Sequence, residues 1–160
     1  MDISFSTPQG RFNYRVAGLI VHEGRLLVMK DTRTIYHYIP GGRISLMETS
    51  GDAVVREFQE ELSAKVSIER LLWVNENFFH EDYFDEDFHE ICFYYLMRME
   101  DDSILARGAC FKIQEREDLS LEFHWHAIEE LSGIVLKPAF LQTRILHLSL
   151  TPEHFIHRDN

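Results

Sequence analysis

GRISLMETSGDAVVREFQEELSA, residues 42–64, combines a glycine turn with a helix that carries three clustered glutamates. Thr49 followed by Asp52 fits a capping box with Asp in place of the usual Glu, so the helix should begin near Ser50. The apolar residues at helical spacing are Val54, Val55, Phe58 and Leu62. Their spacing predicts a helical face that is buried against a sheet.

The three glutamates of this helix lie away from the apolar face. Glu57, Glu60 and Glu61 are three and four residues apart, and like charges at this spacing destabilise a helix by roughly 0.2–0.5 kcal/mol per pair. A bound cation would turn that repulsion into attraction, and hard divalent cations prefer oxygen ligands. The cluster therefore predicts a divalent-cation site, although a glutamate-rich face is also typical of a helix that is simply exposed to water.

The residues before the helix contribute a turn and an ion pair. Pro40-Gly41-Gly42 ends a short apolar stretch, and glycine allows close approaches that side chains forbid, so carbonyl oxygens there can face a metal or a phosphate. Glu48 and Arg56 have opposite charges and can form an ion pair that attaches the loop to the helix. Arg suits this role because its planar fork holds a carboxylate in a fixed orientation.

The spacing of these residues resembles the Nudix box, the signature of the Nudix hydrolase superfamily. Gly42 is followed by five residues, then Glu48, seven residues, and the run from Arg56 to Glu61, so all five charged positions are filled. The resemblance implies an α/β protein with the Nudix fold, an α-β-α sandwich with a mixed central β-sheet. It also implies metal-dependent hydrolysis of a diphosphate linkage in a nucleoside diphosphate derivative, by attack of water at phosphorus.

The same resemblance implies roles for individual residues. Glu57, Glu60 and Glu61 match the ligands of Mg2+ or Mn2+, and Glu57 also matches a possible general base. Gly41 and Gly42 match the turn whose backbone often reaches the metal.

Glu48 and Arg56 match the structural ion pair of the family. The chain departs from the family pattern at Ser63, which replaces a glycine, at the small Ala64 and at the bulky Phe58. A non-glycine residue in a left-handed conformation costs about 1 kcal/mol, so we expect Ser63 to end the helix less sharply than glycine would.

A further acid outside the box often acts on the metal or on the attacking water in Nudix enzymes. Our order of candidates is Glu117, then Glu115, then Glu122, which precede or enter a predicted strand. His124 and His126 alternate around a tryptophan and should point to one face of the sheet, where they either contact a phosphate or have a structural role.

Two functions remain open at this point. The first is a metal-dependent hydrolase, whose substrates in this superfamily include ADP-ribose, other nucleotide sugars, dinucleoside polyphosphates and oxidised nucleoside triphosphates. The second is a Nudix-fold module that binds a nucleotide-like ligand without turnover. Loss of a metal-ligand glutamate would favour the module, and none is lost.

Composition limits the remaining possibilities. The 160 residues are 45% hydrophobic, which suits a single domain over residues 1–160. The net charge of -11 argues against a partner such as a nucleic acid polymer and favours a small nucleotide-type substrate.

The sequence has neither a signal peptide nor a long apolar run, so we expect a cytoplasmic protein without a membrane partner. Cys92 and Cys110 are expected to be free thiols and not a zinc site. Nudix hydrolases are frequently homodimers, and we consider a homodimer here.

The pattern outside the box predicts a strand-rich chain. Strands are expected near residues 12–21, 25–30, 66–79, 88–100, 108–114 and 121–126, the last of the series, followed by a helix over 136–148. The first two strands should be joined by a turn at His22-Glu23-Gly24. The acidic run 80–87 should be a solvated hairpin tip, with Tyr83, Phe84 or Phe88 able to stack over a substrate base or a neighbouring subunit.

Overall fold

Two β-sheets form the framework of the computed structural model, which describes residues 1–159. The six-stranded sheet contains β1 (Ser4–Thr7), β2 (Gly10–Leu19), β5 (Gly41–Arg43), β6 (Val66–Glu81), β7 (Glu86–Met99) and β10 (Glu153–Arg158). The four-stranded sheet contains β3 (Val21–His22), β4 (Arg25–Asp31), β8 (Cys110–Arg116) and β9 (Leu119–Ala127). The strand orders are β1-β2-β7-β6-β10, with β5 beside β2, and β3-β4-β9-β8. Because β2 runs parallel to β7 and β10 parallel to β6 while the other pairs are antiparallel, the larger sheet is mixed, as predicted.

Helices cover both faces of this framework. The α-helices are α1 (Ser50–Leu62) and α2 (Leu141–Arg144), and 3-10 helices span Leu105–Arg107 and Ile128–Gly133. Val16 of β2 packs in one core with Phe58 of α1, whereas the next residue, Ala17, packs in a second core with Leu141 of α2. Successive strand residues point to opposite faces, so the two helices lie on opposite sides, and the predicted α/β layering is confirmed.

The segment after β9 differs from the prediction. The helix predicted over residues 136–148 is wrong: only Leu141–Arg144 is α-helical. Leu136 forms a parallel bridge with His37, and the residue before a proline is biased towards extended conformations, so the helix cannot start before Pro138. The strand predicted over residues 121–126 is not the last, because β10 follows it; β10 was not predicted from the sequence.

The hairpins agree better with the prediction. Val21 and His22 pair with Leu26 and Arg25 around the predicted turn, in which Glu23 and Gly24 both have positive φ. The strand predicted over residues 12–21 is divided, since β2 joins one sheet and β3 the other. The acidic run forms the turn between β6 and β7, as predicted.

Helix α1 begins at the predicted position. Thr49 is the N-cap, and its hydroxyl accepts a hydrogen bond from the Asp52 amide at 3.1 Å. Ala53, Val54, Phe58 and Leu62 are buried. Val55, predicted to be buried, is 36% exposed, because it follows Val54 by about 100° around the helix and so turns away from the core.

Ser63 ends α1 more sharply than predicted. Its φ of 49° and ψ of 34° are left-handed, and the Ser63 amide donates to the Gln59 carbonyl at 3.0 Å while the Ala64 amide donates to the Phe58 carbonyl at 3.4 Å. The first of these bonds, from the left-handed residue to the carbonyl four residues earlier, is that of the αL C-cap motif, in which glycine is usual.

Ser63→Gly is therefore expected to stabilise the protein by about 1 kcal/mol, because it removes the steric cost of a side chain in this conformation. Urea denaturation followed by circular dichroism measures the change. Ser132→Gly, at an exposed position of the 3-10 helix Ile128–Gly133 without positive φ, is the control and should not stabilise. An unchanged or lower midpoint for Ser63→Gly would contradict the assignment of strain to this residue.

None of the helices within residues 1–159 has the length and apolar character needed to cross a membrane.

Candidate active site

An ion pair attaches the loop after β5 to helix α1. Arg56 Nε lies 2.6 Å from Glu48 Oε1, and Nη2 lies 3.0 Å from Glu48 Oε2. Glu48 Oε2 also accepts from the Ser45 amide at 2.9 Å, and Arg56 Nη2 donates to the Arg43 carbonyl at 3.1 Å. The hydrogen bond from Arg56 holds the pKa of the Glu48 carboxyl below its usual value. The geometry is the bidentate pairing expected of arginine with a carboxylate, as the sequence predicted.

Gly41 and Gly42 lie in strand β5, opposite Ala17 and Val16 of β2. Neither glycine has positive φ. Glycine is needed at these positions because a side chain would not fit. A Cβ on Gly41 would overlap the backbone of Val16, and a Cβ on Gly42 would overlap the carboxylate of Glu57. The close approach expected of these glycines from the sequence is thus observed, and Gly42 allows Glu57 to reach the β5 backbone.

Helix α1 brings the three predicted acids to one side. Glu57 Oε1 and Glu60 Oε2 both accept hydrogen bonds from Arg56 Nη1, at 2.8 and 3.0 Å. Glu61 is more deeply buried, and burial followed by the charge of Glu57 raises its pKa to about 8. Burial also raises the pKa of Glu57, against the hydrogen bond from Arg56.

Glu61 shows that this acid cluster suits a cation. Its Oε2 atom is buried and has no hydrogen-bond partner among residues 1–159. A buried carboxylate is costly unless it is paired or coordinates a metal. The donors here are all oxygens, the type that Mg2+ and Mn2+ prefer. The residues therefore fit the divalent cation, Mg2+ or Mn2+, that the resemblance to the Nudix box implies.

The three acids are nevertheless not as tightly grouped as one other cluster. In the described part of the chain, acidic, His or Cys ligand atoms converge within 4.8 Å of one another at Cys110, Glu122 and His124. Arg56 holds Glu57 and Glu60 through hydrogen bonds, which keeps their oxygens directed at its guanidinium.

The candidate acids outside the box have separate positions. Glu115 lies on β8 and is one of the charges that raise the pKa of Glu61. Glu117 lies in the exposed turn between β8 and β9, and its role stays a prediction. Glu122 lies on β9, and its carboxylate is 2.8 Å from His124 Nε2.

Two neighbouring cavities open beside the acids. The first has a volume of about 280 Å³, the second is more open to solvent and has a volume of about 350 Å³, and the two share five lining residues. These are Arg15, Tyr36, Phe79, Glu81 and Glu90. The second cavity also reaches Gly42, Arg43 and Phe84. Arg15 links them to the acids, because its charge lowers the pKa of both Glu57 and Glu61 against their burial.

The sequence reading missed the polar residues of these cavities. Asn77 and Glu90 are 3% and 5% exposed, and Asn77 Oδ1 and Glu90 Oε2 lack hydrogen-bond partners within the described residues. Glu90 Oε2 lies 3.8 Å from Arg15 Nη1. Asn is depleted in strands, so Asn75 and Asn77 inside the predicted long strand were the available signal.

Solved structures resemble the fold of this chain. An ADP-ribose pyrophosphatase from Streptococcus suis 89-1591 matches with a TM-score of 0.59 and 16% identity, over 91% of this chain and 98% of its own. A MutT protein from Bacillus halodurans matches with a TM-score of 0.59 and 15% identity, over 91% and 90%. A UDP-X diphosphatase matches with a TM-score of 0.53 and 20% identity over 83% of this chain, which spans 56% of that protein. No curated protein matches the sequence.

The family assignment comes from the sequence itself. The family model of the NUDIX domain matches residues 12–146. This range includes the whole Nudix box and the strands that line the two cavities. Since this match covers more than half of the chain, the protein belongs to the Nudix family of hydrolases.

Proposed function

We propose that the protein hydrolyses a diphosphate linkage in a nucleoside diphosphate derivative, with Mg2+ or Mn2+ held by Glu57, Glu60 and Glu61. The family acts on pyrophosphate bonds and generally uses divalent metals. The observation that carries the proposal for this chain is the buried Glu61 oxygen without a partner in residues 1–159, beside two further carboxylates and a glycine strand.

The backbone of Gly41 and Gly42 is the proposed second source of oxygen ligands. When bound among these groups, a divalent cation neutralises charge on the diphosphate and acidifies a water molecule. The chain's own part is to place the groups. Arg56 orients Glu57 and Glu60 through its Nη1 atom, and the absent side chain of Gly42 leaves room for the Glu57 carboxylate.

Glu57 is the proposed general base. Burial raises its pKa, which makes it a better proton acceptor than an ordinary carboxylate near neutral pH. Water attacks one phosphorus, its proton passes to the carboxylate, and the bond from that phosphorus to the bridging oxygen breaks. The products are a nucleoside monophosphate and a second phosphate-bearing group.

The paired cavities favour a substrate with two bulky parts. Tyr36, Tyr38, Phe79 and Tyr94 line the 280 Å³ cavity, and aromatic faces stack well on planar bases. Phe84, at the hairpin tip, lines the cavity that reaches Gly42. We infer that the base occupies the aromatic cavity and that the second group lies towards the hairpin tip. Two structural neighbours are named for ADP-ribose and UDP-X, which are both nucleoside diphosphate derivatives.

A panel assay tests the proposal. ADP-ribose, a UDP-sugar, a dinucleoside polyphosphate and an oxidised nucleoside triphosphate are each incubated with the protein and either Mg2+ or Mn2+, and products are identified by mass spectrometry. We expect turnover of at least one compound, lost with EDTA and with Glu60→Gln. Binding of a nucleotide without turnover under either metal would instead favour a regulatory module with the same fold.

Glu115 is the proposed additional acid, ahead of Glu117, because its charge acts on Glu61. Glu115→Gln is expected to lower kcat about tenfold, the lower end of the loss that is typical when a group supporting metal ligands is removed. Glu117→Gln removes the same charge from the exposed turn and should lower kcat less. Steady-state kinetics on the substrate found above compare the two variants. A larger effect of Glu117→Gln would restore the order predicted from the sequence.

A further inference from the structure

A second cluster of ligand-type side chains lies on the four-stranded sheet, apart from the residues assigned to hydrolysis under the proposed function. Strand pairing places Cys110 of β8 opposite His124 of β9, and Glu122 lies two residues before His124 on the same face of the strand. Cys110 Sγ is 3.9 Å from His124 Nε2, and Glu122 Oε1 is 2.8 Å from the same nitrogen. All three ligand atoms lie within 4.8 Å of one another.

This cluster is on the opposite face of β8 from the box. Phe111 and Ile113 of β8, which flank Lys112, pack against the core that contains Phe58 of α1. Cys110 therefore points away from α1, and a ligand at this position would not contact Glu57 or Glu61. The cluster and the acid site are separate.

The chemistry of the three donors selects a different ion from that of the box. Thiolate and imidazole are softer ligands than carboxylate, and together they favour Zn2+ and related transition metals over Mg2+. In a tetrahedral zinc site, bonds of about 2.3 Å to sulfur and about 2.0 Å to nitrogen separate the two ligand atoms by roughly 3.6 Å. The observed 3.9 Å between Cys110 Sγ and His124 Nε2 is close to that separation.

Access and a neighbouring imidazole support the same conclusion. Cys110 is exposed, so an ion can reach the thiol from solvent. The His37 ring stands edge-on to His124, with centroids 5.5 Å apart. His37 Nδ1 is buried and unpartnered among residues 1–159, so the ring beside His124 carries a free nitrogen, which lies outside the three atoms that converge within 4.8 Å. A four-coordinate site needs one such additional ligand or a water.

Contrary to the expectation from the sequence that Cys110 belongs to no zinc site, we propose that Cys110, Glu122 and His124 form a zinc-class metal site on the face of the four-stranded sheet opposite the Nudix helix. Zinc at this position joins β8, the edge strand of its sheet, to β9. The carboxylate of Glu122 turns from His124 Nε2 towards the ion, because that nitrogen changes from hydrogen-bonding partner to metal ligand. The site does not depend on the hydrolytic proposal.

Cobalt absorption tests the site directly. The full chain is titrated with Co2+ in excess Mg2+, which occupies carboxylate sites, and the thiolate-to-cobalt charge-transfer band is followed in the near ultraviolet. We expect a band that saturates at one equivalent and is removed by one equivalent of Zn2+. Cys110→Ser should abolish the band, and His124→Gln and Glu122→Gln should each weaken Zn2+ binding at least tenfold.

Matched variants separate this site from other binding. Glu61→Gln should leave the band unchanged, as should Cys92→Ala, which removes the other thiol of the chain. Zn2+ should also raise the Tm of the unsubstituted protein and not that of Cys110→Ser. A missing band, or a band that survives Cys110→Ser, would overturn the proposal. Far-ultraviolet circular dichroism of each variant confirms that the fold is retained.

Discussion

Glu61→Gln is expected to lower kcat at least 100-fold and, at the same time, to stabilise the metal-free protein. The loss of activity follows because an amide replaces a carboxylate proposed to hold the cation, and charge stabilisation by a bound metal amounts to several kcal/mol. The gain in stability follows because Glu61 Oε2 is buried without a partner in the described residues, and an amide avoids the cost of burying a charge.

The stability change depends on pH with a defined sign. Burial raises the pKa of Glu61 from 4.5 to about 8 in the folded protein. Between these values the folded state holds a proton that the unfolded state has lost, so stability falls as pH rises through this window. Thermal unfolding in EDTA from pH 5 to pH 8 should therefore show a steeper decline for the unsubstituted protein than for Glu61→Gln.

Glu129→Gln is the control, because it removes an equal charge from an exposed 3-10 helix. It should change neither kcat nor the pH dependence of Tm. If Glu61→Gln retained most of the activity, the assignment of this carboxylate to the metal would be wrong. If it destabilised the protein in EDTA, the explanation from its buried oxygen would fail.

The two glycines of β5 are expected to respond to alanine in different ways. A Cβ on Gly41 overlaps the Val16 carbonyl of β2 and lies 2.7 Å from the Ala17 Cα. Backbone in a paired strand cannot move aside as a side chain can, so Gly41→Ala should destabilise the protein by about 3 kcal/mol. A Cβ on Gly42 meets the Glu57 carboxylate, which can rotate away.

Gly42→Ala should therefore cost only about 1 kcal/mol of stability but about 100-fold in kcat, because a displacement of about 1 Å in a catalytic group has that effect. Urea denaturation and steady-state kinetics on both variants separate the two outcomes. Gly133→Ala, at a position where an added Cβ meets no atom within 4 Å, is the control for the change in unfolded-state entropy. Equal loss of stability in Gly41→Ala and Gly42→Ala would contradict this distinction.

The box could be predicted from the sequence because its signals are local. The Thr49 cap, the charged spacing and the apolar positions of α1 lie within one helix, where fixed periodicity relates residue number to direction. The sequence also contained the Glu48–Arg56 pair, since both residues belong to the same motif. Local signals failed at Val55, which sits at the border between the buried and exposed faces.

The parts that were not predicted depend on contacts between distant residues. β10 has the sequence EHFIHR, which contains too few apolar residues to predict a strand. It becomes a strand by pairing with β6, about eighty residues earlier in the chain. The nearness of Cys110 to His124 depends on the register of two strands. The burial of Glu61 and the position of Glu115 beside it depend on how α1 meets β8. Periodicity in a single sequence carries no information on any of these pairings.

Glu61 belongs to helix α1, whereas Glu115 belongs to β8 of the four-stranded sheet. Different hydrogen-bonded units thus carry the two carboxylates, and side-chain packing between those units sets the gap between them. A small shear of one unit against the other changes this gap without breaking a backbone ladder. The mechanical consequence is that a packing interface, which yields more easily than a backbone ladder, separates these two carboxylates.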